Sequence, residues 1–227
     1  VELVINPRDY LVLTSDPEVL LNNYPKGDFS KFLEVTPFPG YPNDTGNVVL
    51  INALEVVEER FFYDEEFHYN LLEDVDGVSL ERVSFEAITN NPDNWRSASS
   101  TVGFATPGYA NSQALEGSAS PVGKVSPDPK VFIPGDAARG RDFTRINYQL
   151  DEPGKFANVD IYDQSGRLVK NLANGVSLAS TGFLRWDGDT DGGGIARMGY
   201  YVIIFEIYDS NGNTELIKET VVVGRDF

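Results

Sequence analysis

The side chains able to do chemistry in this chain are few and widely spaced. His68 is the only histidine and no cysteine is present. An acyl-transfer triad needs a nucleophile, an imidazole base and an orienting acid, and His68 would have to supply the base from between Phe67 and Tyr69. No Gly-x-Ser-x-Gly elbow accompanies it, so His68 reads as a structural imidazole. One histidine and no thiolate also fall short of the ligand sets that hold zinc. The remaining candidate is Asp187-x-Asp189-x-Asp191-Gly192, the opening of a calcium loop, with alternating carboxylates and the glycine that permits a sharp turn. Its twelfth position is Met198, where a bidentate carboxylate is needed, and no helical pattern flanks it. An Asp/Gly-rich turn is therefore favoured over calcium. Asp187, Asp189 and Asp191 are the metal ligands to test, and calcium is the one cofactor they would take.

Two further sets invite a functional reading. Nine carboxylates lie between Glu55 and Asp76 against the single cation Arg60. They lack compact ligand spacing and read as a solvated face and loop rim. Trp95, Trp186, Tyr200 and Tyr201 would suit sugar stacking if exposed. Each sits inside a strand motif that needs an anchor, so the core reading is preferred.

The elements that must position these residues are short strands. Thr144, Ile146, Tyr148 and Leu150 alternate with Arg145, Asn147 and Gln149, and Val159 and Ile161 alternate with Asn158, Asp160 and Tyr162. Period two marks strands with one buried face. Gly182–Trp186 is a further strand, Tyr200–Tyr208 reads as a central one, and Asn211-Gly212 is a hairpin signal leading into Thr214–Val223. In the first half, Asp16-Pro17 caps a short helix, Phe32–Val35 is a weak strand, and Val48–Ile51 with Val56–Tyr63 form a hairpin. Val78, Leu80 and Val83 alternate with residues expected to stay wet, Glu81 and Arg82. The polar run Thr89–Asn94 then leads to Trp95, like a strap across a sheet. Residues 114–126 are small, polar and aperiodic, which predicts a linker between domains at 1–113 and 127–227.

Composition sets the outer limits. With 227 residues, 41% hydrophobic and 23% charged, the chain is globular and long enough for two domains. Thirty-five carboxylates outweigh 18 cations for a net charge of −17. That excludes nucleic acid, whose binding depends on clustered cations. No apolar run approaches the ~20 residues of a membrane span. Met198 is the only methionine, so Val1 is not a natural start, and a piece of a longer polypeptide is expected.

The segments GVSLER (Gly77–Arg82), NPDNWRSA (Asn91–Ala98) and TVGFATPGYANSQ (Thr101–Gln113) resemble the end of a lamin-tail domain, in the version found in secreted Bacteroidetes proteins. YLVLTSDPEVLLNNYP (Tyr10–Pro25) resembles the middle of the same domain. The second half is similar to the immunoglobulin-like domain of flagellar hook-capping proteins and related C-terminal modules. INY (Ile146–Tyr148), VDIYDQSGRLVKNL (Val159–Leu172), WDG (Trp186–Gly188) and MGYYVIIFE (Met198–Glu206) carry that likeness. The resemblance implies an all-β chain of two immunoglobulin-like β-sandwiches in tandem, the first lacking its opening strands. In the resembling family Trp186–Gly188 opens a polar turn. An oxygen-rich run is usual near Asp136 and Asp142, where this sequence instead carries Arg139 and Arg141.

The implied role is non-catalytic: presenting, spacing or anchoring upstream domains of a secreted or cell-surface bacterial protein. Expected partners are those upstream domains, cell-envelope proteins or glycans. The alternatives are a carbohydrate- or protein-binding adhesion module and an accessory region of an exported enzyme.

Overall fold

The computed structural model describes residues 5–115, 124–136, 140 and 142–225. Among the described residues the fold is all-β apart from one short α-helix and a few 3₁₀ turns, and the chain divides into two compact units, Val1–Leu115 and Glu116–Phe227. Of the expected linker, residues 116–123 lie outside the described residues, and Val125 and Ser126 already belong to a strand.

In the first unit, β1 (Val12–Thr14) pairs in parallel with β2 (Phe32–Glu34), and α1 (Pro17–Asn23) connects them. The helix starts where the sequence says it should. Asp16 Oδ1 accepts the Val19 N–H at 3.0 Å, and Pro17 occupies a position whose N–H needs no partner. It stops before Pro25, with the Tyr24 N–H still bonded to Leu20 O. The expected hairpin forms from β3 (Thr45–Ile51) and β4 (Val57–Asp64), while β5 (Leu80–Arg82) pairs with β6 (Trp95–Ser97). The strap also forms: Asn90 Oδ1 accepts the Phe62 N–H from β4, and Trp95, half-buried, stacks on Phe61 with centroids 3.6 Å apart. The Trp95 indole N–H donates to Thr89 O at 2.7 Å.

The interior of this unit differs from expectation. Its buried apolar residues are Val83, Ala98 and Ala105, outnumbered by Glu81, Asn94, Ser97, Ser99, Thr106, Ser112 and Gln113. Glu81, expected to be wet, is only 3% exposed. On β3 and in the turn that follows, Val48, Val49, Leu50, Ile51 and Leu54 are all exposed.

The second unit is a β-sandwich. Strands β7 (Val125–Asp128), β8 (Val131–Phe132), β9 (Thr144–Gln149), β10 (Phe156–Asp163), β11 (Leu168–Ser177), β12 (Thr181–Trp186), β13 (Gly199–Tyr208) and β14 (Thr214–Val223) form two sheets. One has five strands in the order β11-β10-β13-β14-β8, and the other three in the order β12-β9-β7. The alternation seen in sequence becomes the core. Ile146, Tyr148 and Trp186 from the small sheet meet Val159, Ile161, Ile203, Phe205 and Val221 from the large one. β13 is central, as read, but its faces are unequal: Tyr201, Ile203, Phe205 and Ile207 are buried, whereas Tyr200 is 65% exposed. The core reading therefore fails for Tyr200. Trp186 is fully buried, edge-on to Phe132 and to Tyr201 at 5.3 Å each.

Candidate functional site

The Asp187–Gly194 loop follows β12 and is closed on itself by an isolated antiparallel bridge between Asp189 and Ile195. Its geometry starts from Trp186, whose indole N–H donates to Asp189 O at 2.9 Å. A buried indole needs an acceptor, and this one folds the loop back over the core. Gly188 sits at φ +75°, and a Cβ there would collide with the Pro134 ring. That close approach explains a glycine after Trp186-Asp187.

The three carboxylates of the calcium pattern do not converge. Asp187 turns to Arg185, with Oδ1 2.7 Å from Nε and 2.5 Å from Nη2. Asp189 Oδ2 receives Lys170 Nζ from β11 at 2.6 Å, and Asp191 Oδ1 lies 3.6 Å from the same nitrogen. Asp191 Oδ2 also accepts the Asn171 N–H at 2.9 Å. The hydrogen bond to Asp189 raises the Lys170 pKa above its ordinary value, so the ammonium is charged throughout the neutral range. Among the described residues no group of three His, Cys, Asp or Glu side chains is placed to hold a metal ion. A cation entering this loop would have to displace Lys170. The pattern read from spacing is thus a clamp between the loop and β11.

His68 is half-buried. Its Nδ1 lies 3.0 Å from Ser97 Oγ, which also accepts the Tyr69 N–H at 3.0 Å. Burial pushes the imidazole pKa down, so the ring is neutral at pH 7. A Ser–His contact has the residue types of a nucleophile and its base, but Ser97 is fully buried in β6 and Oγ is committed to a backbone donor. The pair ties the 65–69 turn to β6.

Of the carboxylates between Glu55 and Asp76, Glu59, Asp64 and Asp74 have clear partners. Glu59 binds Arg82 at 3.2 Å and also takes the Thr89 hydroxyl. Asp64 and Asp74 accept backbone N–H groups two residues on. Asp142 lies 3.8 Å from Arg185, while Arg139 and Arg141 fall outside the described residues.

The side chain that sequence reasoning missed is Glu81. Thr106 donates to Oε1 at 2.5 Å, and Ser112 and the Gln113 N–H donate to Oε2 at 2.7 and 3.1 Å. The carboxylate joins β5 to two segments that lie 25 to 32 residues further along the chain. It forms one wall of a cavity of about 380 Å³ with Val12, Leu20, Tyr24 and Pro107. The hydroxyl and amide chemistry of Thr106-Pro107 and Ser112-Gln113 is visible in sequence, but its meeting with Glu81 is not.

Comparison with known proteins leaves the family open. No protein-family model matches the chain, and no curated protein matches it. Among solved structures, FlgD from Pseudomonas aeruginosa aligns at 22% identity and a TM-score of 0.31, covering 36% of this chain and 61% of that one. CopC from Methylosinus trichosporium OB3b aligns at 18% identity and a TM-score of 0.27, covering 38% and 78%. Neither neighbour lends this chain a function.

Proposed function

We propose that the chain is a non-catalytic module of a secreted or cell-surface bacterial protein, spacing, presenting or anchoring the domains joined to it. The first unit is read as a lamin-tail-like domain and the second as an immunoglobulin-like module of the hook-capping type. The observation that supports this reading most is how the reactive side chains are used. His68 holds a buried serine, Asp189 and Asp191 hold Lys170, Asp187 holds Arg185, and Glu81 holds three donors of its own unit. His68, Asp189, Asp191 and Glu81 each join one segment of the chain to another, while Asp187 pairs with Arg185 two residues before it. The second unit adds a continuous buried core drawn from both of its sheets.

One feature favours protein binding as a second role: the exposed run Val48–Ile51 on β3 is apolar on both faces. The test is a fusion. A fluorescent reporter joined ahead of the 227 residues and produced in the source cell should reach the surface and become sensitive to added protease. The same reporter without the chain should not. Equal distribution of the two reporters would remove the proposal. Fluorescence titration of the chain with glycans separates binding from presentation, because a saturable change would favour the adhesion reading.

A further inference from the structure

The cavity beside Glu81 in the first unit has a chemistry that the fold alone does not use. Glu81 is 3% exposed, and its carboxylate is held by three neutral donors, the Thr106 and Ser112 hydroxyls and the Gln113 N–H. Such bonds favour the ionised form. Buried charges are ordinarily paired with an opposite charge, yet no Lys, Arg or His nitrogen lies within 4.0 Å of this one among the described residues. The neighbouring cations are spent elsewhere. Arg96 stands directly opposite Glu81 in the β5–β6 register, but its Nη1 donates to Trp95 O at 2.7 Å. Arg82 binds Glu59 and Ala87 O, and Lys26 donates to Thr101 O.

The cavity, about 380 Å³, falls within the roughly 300–1,000 Å³ of small-molecule sites. Val12, Leu20, Leu80 and Pro107 give it apolar walls. Its polar atoms are acceptors with capacity to spare. Asn111 spends its Nδ2 on Arg82 O at 3.0 Å, and its Oδ1 has no donor among the described residues. Tyr24 commits its hydroxyl hydrogen to Gly77 O at 2.7 Å, which leaves the oxygen lone pairs. Glu81 Oε1 accepts one hydrogen bond, where a carboxylate oxygen has room for two. No Lys, Arg or His lines the cavity. An occupant that satisfies these oxygens must bring N–H donors and positive charge, with an apolar stem for the walls. A metal ion fits poorly, because among the described residues no group of three His, Cys, Asp or Glu side chains converges. The wider field acts in the same direction: Val1–Leu115 holds 6 of the 18 Lys and Arg residues and 19 of the 35 carboxylates, a balance of −13.

We propose that this cavity binds an aliphatic primary ammonium, with the alkyl stem against Leu20, Leu80 and Pro107 and the head toward Glu81 and Asn111. A free amine and the side chain of a lysine on a partner protein present this same group. The ammonium supplies the charge-assisted pairing that the buried carboxylate lacks within its own unit. Three protons on one nitrogen match acceptors on separate segments, Glu81 on β5, Asn111 near the end of the unit and Tyr24 after α1. The site goes beyond the presentation role and does not depend on it.

The test titrates the 227-residue chain with pentylammonium by calorimetry at neutral pH and fixed ionic strength, with 1-pentanol and pentanoate as neutral and anionic controls of similar size. Nα-acetyl-lysine N-methylamide is a further probe and represents a lysine side chain within a polypeptide. Saturable binding of pentylammonium or of the blocked lysine is expected, with backbone amide shifts in residues 80–81, 106–111 and α1. The tighter of the two names the source, free amine or lysine side chain. Pentanol and pentanoate should bind at least roughly tenfold more weakly. Glu81→Gln retains an oxygen for the buried donors but removes the charge, and should weaken the amine by at least roughly tenfold. Leu20→Phe narrows the cavity with the carboxylate intact and should also weaken it. Trp95 fluorescence reports whether each variant is folded, and Leu20→Phe carries the test if Glu81→Gln is not. No saturation with either amine, equal binding of pentanol or pentanoate, amide shifts confined to other parts of the chain, or indifference to the folded variants would overturn the proposal.

Discussion

Replacing Glu81 with alanine should selectively unfold the first unit. The substitution leaves three buried donors, the Thr106 and Ser112 hydroxyls and the Gln113 N–H, without the oxygens that accept them at 2.5 to 3.1 Å. Each orphaned donor costs about 1–3 kcal/mol. Partial hydration through the adjoining cavity keeps the sum below the arithmetic total, so a loss of about 3–5 kcal/mol is expected. That is a large fraction of the roughly 5–15 kcal/mol that a domain possesses, and among the described residues of this unit three apolar ones are buried to offset it. Glu81→Gln should be far milder, about 0.5–1.5 kcal/mol. Its oxygen can take the Ser112 and Gln113 donors, and its amide can face the Thr106 hydroxyl oxygen. The assay is built into the sequence, because each unit holds one tryptophan: Trp95 in the first and Trp186 in the second. Urea melts of Trp186→Phe and Trp95→Phe backgrounds follow the units separately. Glu81→Ala should move the Trp95 transition to lower urea and leave that of Trp186 in place. A shift under 0.5 kcal/mol, or equal movement of both transitions, would refute the argument.

Other expectations follow from the same contacts. Trp186→Ala removes a fully buried indole packed on Phe132 and Tyr201, and should cost the second unit about 3–5 kcal/mol in a denaturant melt. Hydrogen bonds from the Asn213 side chain, Lys155 and the backbone of Asn213 and Asn211 hold the Asp209 carboxyl well below the usual range. A depressed carboxyl stabilises the fold above its unfolded pKa of about 3.9 and loses that contribution as acid protonates it. Below about pH 4 the Asp209→Asn chain should therefore lose stability less steeply than the parent. Millimolar calcium should shift the melting temperature little, because Lys170 occupies Asp189 and Asp191; a large shift abolished by Asp189→Ala would reinstate a calcium site. His68→Ala should lower stability through loss of the Ser97 contact, and any turnover present in the parent should survive it.

What could be read from the sequence was local. β9 and β10 are legible because alternation reports a single buried face, β13 as a central strand because Tyr200–Tyr208 is almost wholly apolar, and the β13–β14 turn because Asn211-Gly212 suits a positive φ, found at +83° for Gly212. α1 was legible because its cap, Asp16, lies next to Pro17. The errors concern side chains whose partners are remote. Glu81 was placed in water on polarity alone, yet its donors come from Thr106 to Gln113. The Asp187–Asp191 spacing reads as an Asp/Gly-rich turn with calcium as the lesser alternative, and the partner it does not reveal is Lys170, 19 residues back on β11. The stacking of Arg145 on Phe183 across the sheet, with the ring centroid 5.0 Å from the guanidinium, depends on the register between β9 and β12, which no spacing within either strand reveals. Tyr200 and Tyr201 are identical in type and adjacent, and only the side on which the opposing sheet packs separates them.

The most direct measurement of the central claim, presentation without chemistry, is surface display of the upstream reporter by variants that remove either fold or reactive groups. Trp186→Ala, which empties the core of the second unit, should abolish protease-accessible reporter at the surface. His68→Ala, and Asp187, Asp189 and Asp191 changed together to Asn, should leave it unchanged while the chain stays folded. Loss of display in those folded variants, with display retained by Trp186→Ala, would contradict the account.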